Sequence, residues 1–307
     1  MKVFNLIDLM AMRDHFSPSF LSDMFSCSMK AVLKGVLKLD GNKRKSPAML
    51  KGSIIHKALE CYFLKLKSNG QYGDTAKNLT QSFDEAIGYY TKNAQYYDKD
   101  VLASAFKYFK GNTELIKALA LFLDKKYKHI SNIPDDKIHT ELAFEKIRMC
   151  GFNFTGRIDL MYNSEVIDFK TSSQGHDERD QDKYARKIKK LTAEFCQQLL
   201  IYKRALEHIS ETGAVKDILT PEKFTIIEII LTKAPKINEY TFTQEEVEKA
   251  ATELTERVET AIGMLNNKTI SRNYRDTGCP CELCDYCMDD SNLKMVLSKL
   301  NIPTDFF

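Results

Sequence analysis

The chain has 307 residues, 43% of them apolar, with a formal net charge of +3. That supply of apolar residues can bury a substantial core. No apolar run reaches membrane-spanning length and no internal repeat appears, which argues against membrane-spanning and repeat architectures and predicts a soluble protein.

Taken in chain order, the pattern predicts helices over 19–38 and 52–68, then a helical, tyrosine-rich stretch from Thr75 to His129. Strands follow at 139–149, 152–161 and 165–171. A polar loop, TSSQGHDERDQDK, leads into a helix over 184–210. A strand at Lys223–Thr232, a helix from Gln244 to Asn266 and a cysteine-rich loop complete the order. This is an α/β (α+β) arrangement, a mixed central sheet flanked by helices. Basic residues cluster twice, at Lys30, Lys34, Lys38, Lys43, Arg44, Lys45 and Lys51, and again at Lys183, Arg186, Lys187, Lys189 and Lys190. Such clusters are solvated faces or, beside a phosphodiesterase centre, a groove that tracks phosphates.

Chemistry concentrates in GRIDLMYNSEVIDFKTSS. From Phe152 to Leu160, Asn153, Thr155, Arg157 and Asp159 alternate with apolar or small residues, so Asp159 falls on the polar face of a half-buried strand. In the next strand Val166, Asp168 and Lys170 share one face, Ile167 and Phe169 the other. A turn at Tyr162–Ser164 brings Asp159 beside Asp168. Two carboxylates meeting there repel unless a hard divalent cation sits between them. A lysine two residues on can hold an attacking water or stabilise charge developing on a phosphate.

The D…D-x-K pattern resembles that of the PD-(D/E)XK nuclease superfamily, and further matches resemble its RecB-like branch. Gly52-Ser-Ile-Ile-His56-Lys-Ala-Leu-Glu60 is similar to the GxxxHxxxE helix of that branch, and Gln198-Leu-Leu-Ile-Tyr202 to its Q-x3-Y helix. Glu141 resembles the acidic residue preceding the first core strand; Glu145, two strand periods on, competes for that position. SPSFLSDMFSCSMKAVL resembles the family's opening motif, with Ser28 where proline is usual. The resemblance implies a restriction-endonuclease-like core at 139–243, an N-terminal helical region at 1–138 and a C-terminal segment at 244–307, all within one nuclease unit.

It also implies that His56, Asp159 and Asp168, with the Phe169 carbonyl and Glu141, ligate Mg²⁺ or Mn²⁺. Lys170 orients the water, while Gln198 and Tyr202 hold substrate phosphate or the lysine. The expected activity is that of a metal-dependent deoxyribonuclease acting on DNA, as an exonuclease on single-stranded ends, in repair, recombination or foreign-DNA processing. No G-x4-GK[ST] phosphate loop is present, so any helicase or recombination partner would be a separate protein. Two other classes remain open: a non-catalytic nucleic-acid-binding module, and an iron–sulfur sensor on a nuclease-like fold.

Of eight cysteines, Cys279, Cys281, Cys284 and Cys287 lie in GCPCELCDYC. The sequence opens without an apolar secretory region, which predicts a cytoplasmic protein and metal binding rather than disulfides. Cys281-x2-Cys284-x2-Cys287 has spacing that can wrap three corners of a [4Fe–4S] cluster, with Cys27 as the remote fourth ligand. The AddB type and CRISPR-associated RecB-like exonucleases carry such a staple, although their trio is C-x2-C-x5-C and Asp290 stands where the third cysteine would fall. The alternative is Zn²⁺ bound by Cys279, Cys281, Cys284 and Cys287. Cys61, Cys150 and Cys196 read as buried small hydrophobes. Replacing Cys27 with serine separates the two cluster readings. A shared cluster predicts loss of iron and of solubility, while a local zinc site predicts unchanged metal content. One zinc retained by both parent and variant, on analysis of anaerobically purified protein, rules out the shared cluster.

Overall fold

The computed structural model describes residue 17 and residues 47–69, 73–110, 112–127, 138–149, 152–172, 181–213 and 220–266. Cys27, Cys150, Cys279, Cys281, Cys284 and Cys287, the opening motif after Ser17, the helix expected over 19–38 and the loop after Ser172 lie outside them. The chain divides into a larger compact unit, Arg44–Phe144 with Arg157–Glu248, and a smaller one that includes Glu145–Gly156 and the chain from Lys249. In the smaller unit, Ala250, Leu254 and Val258 recur every four residues and are buried, as one helix face requires.

In the larger unit, α1 (Pro47–Asn69) opens on a proline, whose missing N–H costs nothing in a first turn. Leu50, Ile54, Ile55, Ala58, Leu59, Tyr62 and Phe63 are almost wholly buried along it, so this helix is central rather than peripheral. Around it stand α2 (Thr75–Lys92), α3 (Lys99–Phe109) and α4 (Thr113–Tyr127). Asp74 caps α2 by accepting from Lys77 N, and Asn112 Oδ1 accepts from Leu115 N at the start of α4. Their apolar faces form one core cluster with Ile167, Phe169, Ile227 and Ile229 of the sheet. The tyrosine-rich stretch is therefore a helical layer lying on the sheet.

The sheet has five strands in the order β1-β2-β3-β4-β5: β1 (Ile138–Met149), β2 (Phe152–Tyr162), β3 (Glu165–Ser172), β4 (Lys223–Ile230) and β5 (Lys236–Thr243). Asn163, at φ 53°, makes the tight turn between β2 and β3. The 32-residue helix α5 (Gln181–Thr212) connects β3 to its parallel partner β4, as a parallel pair demands. α6 (Gln244–Asn266) follows β5. Glu165 through Phe169 are buried without a break, because β3 is covered on both faces.

β5 is an addition to the sequence reading. In KINEYTFT, Ile237 is out of phase with Tyr240 and Phe242, so neither face is consistently apolar. An edge strand that pairs antiparallel with β4 needs no such consistency.

Helix α1 touches β3 at Gly52. A Cβ there would meet Thr171 Oγ1 at 2.6 Å, closer than side chains tolerate. Gly52→Val should therefore cost about 1–3 kcal/mol in urea unfolding through overpacking. Gly52→Ala sets a helix gain of roughly 1 kcal/mol against the same clash. Thr171→Ala should relieve it, so the two alanine substitutions should be non-additive; strict additivity would show that the contact is not tight.

Candidate active site

The site grows from the place where β2 and β3 part. Their pairing runs Tyr162↔Glu165, Met161↔Val166 and Leu160↔Ile167, and ends there. The next pair in register would be Asp159 opposite Asp168. In place of a ladder bond, Asp159 Oδ2 accepts from the Phe169 N–H at 2.8 Å. The carboxylate takes over a backbone donor that the separating strand would leave unsatisfied.

His56 reaches this notch from α1. Its Nδ1 lies 3.3 Å from Asp159 Oδ2, and its ring stands edge-on to Phe169 at 6.5 Å between centroids. Gly52, one turn earlier, permits the helix to sit this close. Burial disfavours the imidazolium, but the hydrogen bond to Asp159 and the charges of Asp159 and Asp168 outweigh it, so the His56 pKa is raised.

Asp168 is the innermost group, 2% exposed. Its Oδ1 accepts from Gln198 Nε2 at 2.9 Å and from Tyr202 OH at 3.0 Å, both from α5. Gln198 Nε2 and Tyr202 OH are also 2.6 Å apart. Their four-residue spacing puts them on one helix face, with Tyr202 packed edge-on to Phe144 at 5.9 Å. Lys170 Nζ lies 2.8 Å from Asp168 Oδ2. Burial raises the Asp168 pKa, Lys170 opposes this, and Asp159 adds to it. The pair from α5 thus holds Asp168, whereas the sequence suggested phosphate or Lys170 as its partner.

Glu141 adopts φ 51°, uncommon for a residue with a Cβ, and its carboxylate is ion-paired with Arg157. Burial raises its pKa, Arg157 works against that, and Asp159 and Glu60 reinforce it. Glu145 is exposed. Sequence reasoning gave Arg157 no part in the site and Glu60 only a place in the His56 motif. The signal for Arg157 was its place two residues before Asp159, on the same strand face.

The structure thus gathers His56, Glu141, Asp159, Asp168, Lys170, Gln198 and Tyr202 around one notch, where Phe169 supplies the N–H that Asp159 accepts. Acid oxygens and an imidazole are the donor types that Mg²⁺ or Mn²⁺ takes. Burial, and after it the charge of Asp159, disfavours ionisation of Glu141 and Asp168, a cost that a divalent cation would offset. Among the described residues no three such side chains already converge as a metal cage. The set fits the ion in donor chemistry and charge.

A mixed sheet whose parted hairpin carries one aspartate on each strand, the second in D-x-K, defines a nuclease of the restriction-endonuclease-like class. The sequence profile of the PD-(D/E)XK nuclease superfamily matches residues 15–288, and the chain belongs to that superfamily. Among solved structures it is similar to a "Putative exonuclease" from Eubacterium rectale, with a TM-score of 0.52 and 13% identity over 91% of this chain and 92% of that one. That likeness is one of fold. No curated protein matches the chain.

The buried Asp168 gives a stability test. Its folded pKa is raised, so the native state holds more protons than the unfolded chain between the ordinary value of 3.8 and the raised one. Stability contributed by Asp168 therefore falls as pH rises through that window. Asp168→Asn should raise the thermal midpoint of metal-free protein at pH 7, with the gain shrinking as pH falls toward 3.8. A lower midpoint at pH 7 would show that the pair with Lys170 outweighs desolvation.

Proposed function

We propose that this protein is a divalent-metal-dependent deoxyribonuclease of the RecB-like branch, acting as an exonuclease on single-stranded DNA ends. The observation that carries the reading is Asp168, buried at the parting of β2 and β3 between Lys170 and the Gln198–Tyr202 pair. Lys170 offsets only part of the cost of burying that charge, since the Asp168 pKa stays raised, and a cation docked beside it would relieve the rest. His56, Asp159 and Asp168, with the Phe169 carbonyl and Glu141, would hold the ion. When bound, it lowers the pKa of a water and offsets charge on the phosphorus.

The remaining roles belong to side chains. Lys170, 35% exposed and beside Asp168 Oδ2, can orient the attacking water or meet charge developing on the phosphate. Tyr202 and Gln198 fix the Asp168 carboxylate so that Oδ2 stays toward Lys170. Arg157 holds Glu141 at the edge of the acidic group.

The superfamily profile spans both compact units, which supports reading the chain as one nuclease unit. Among the described residues no helix is long and apolar enough to cross a membrane. The cysteine spacing supports a [4Fe–4S] staple closing the C-terminal segment onto Cys27, with zinc as the other occupant.

The decisive assay uses purified full-length protein with end-labelled single-stranded and duplex DNA, in Mg²⁺, in Mn²⁺ and in chelator. Metal-dependent shortening from single-stranded ends is expected. Asp168→Ala should abolish it, and Lys170→Ala should lose cleavage while still binding DNA and metal, because its role is in the transition state. Full activity in Asp168→Ala, or none in the parent with either metal, would overturn the reading.

A further inference from the structure

One step along the sheet from the notch lies a concavity that the catalytic roles above leave unused. It encloses about 450 Å³ and is lined by Tyr108, Lys110, Asn112, Leu231, Thr232 and Lys233. Its walls come from the α3–α4 connection on one side and the segment leaving β4 on the other. Among the described residues no acidic side chain lines it. Lys51 Nζ sits over the Tyr108 ring, 4.2 Å from its centroid, which adds a third cation. Among the described residues no carboxylate is within ion-pair distance of Lys51, Lys110 or Lys233, while Lys57, Lys65, Lys117, Lys126 and Lys203 each have one.

Two connections tie this concavity to the notch. The Leu231 N–H donates to Ser172 O at 2.7 Å, and Ser172 is two residues beyond Lys170 on β3, about 6.6 Å along the strand. Lys51 and His56 lie five residues apart on α1, about 7.5 Å along its axis. The pocket therefore lies past the ends of β3 and β4 on the sheet face that carries α1 and His56, where Tyr108 and Leu231 pack against the same core as Phe169. Three lysines without a carboxylate partner among the described residues, one of them over an aromatic ring, suit a polyanion that carries flat groups.

We propose that this concavity is a phosphate subsite for the nucleic-acid strand whose end lies in the notch. Lys110 and Lys233 contact the backbone of nucleotides away from the cleaved bond, and Lys51 sets the Tyr108 ring. The proposal rests on the nuclease reading for the direction of the strand. Its test rests on binding alone.

Binding of labelled single-stranded DNA, about ten nucleotides long, is measured by fluorescence anisotropy in chelator across a salt series. Lys110→Ala with Lys233→Ala should weaken affinity roughly tenfold near 0.15 M salt and flatten the log–log salt slope by about 1.4, at about 0.7 per lost single-strand contact. Both lysines are exposed, so the fold survives their loss. Lys77→Ala with Lys125→Ala is the control, removing two exposed lysines elsewhere, and should leave the slope unchanged. An unaltered slope in the first variant, or the same flattening in the control, overturns the subsite. Absence of metal-dependent cleavage by the parent would instead count against the nuclease reading and leave this binding result standing.

Discussion

Everything at the notch follows from one interruption in a hairpin. β2 and β3 pair normally from their turn to Leu160↔Ile167 and then part, where continued pairing would set Asp159 against Asp168. Separation leaves backbone donors without ladder partners, a cost of about 1–3 kcal/mol for each buried group. The Asp159 carboxylate meets one of these by accepting from Phe169, so the residue that opens the sheet also closes its hydrogen-bond account. The same bond fixes Asp159 where His56 can reach it from the helical layer.

The parted hairpin creates an electrostatic problem that the rest of the site manages. Asp168 is buried on a strand covered on both faces, and it lies near enough to Asp159 to feel its charge. Lys170 offsets part of that charge, and the neutral donors of Gln198 and Tyr202 stabilise it without adding a cation. Three supports for one carboxylate, drawn from β3 and α5, explain why those elements must keep their register. A similar arrangement recurs one strand over. Glu228, level with Lys170 on β4, is also buried, and its Oε2 accepts from Asn238 and Tyr240 of β5 at 3.2 Å each. Those two neutral donors hold the Glu228 carboxylate from β5, as Gln198 and Tyr202 hold Asp168 from α5.

Much of this was legible in the sequence, because alternation and spacing act locally. The period of two placed Asp159, Asp168 and Lys170 on their strands, and the four-residue spacing put Gln198 and Tyr202 on one helix face. What spacing could not reveal was the partner of that pair, since which strand residue meets which helix residue is set by packing across the sheet. β5 was missed for a related reason: its pattern is irregular because an edge strand has only β4 to satisfy. Arg157 was visible as a polar-face residue, but its pairing with Glu141 depends on the approach of β1, which no local pattern encodes. Glu141 itself, at φ 51°, departs from regular strand geometry where the acids gather.

Gly52 shows how a backbone requirement and a chemical one coincide. A helix laid on a strand keeps its distance according to the side chains between them. With no Cβ at Gly52, α1 settles against Thr171, and both its neighbours in sequence benefit. One turn on, His56 comes within 3.3 Å of Asp159; one residue back, Lys51 comes over Tyr108. A helix held even a methyl's width further from β3 would draw the imidazole back from Asp159. The close approach therefore serves the imidazole, because the missing Cβ at Gly52 is what lets α1 bring His56 to the parted hairpin.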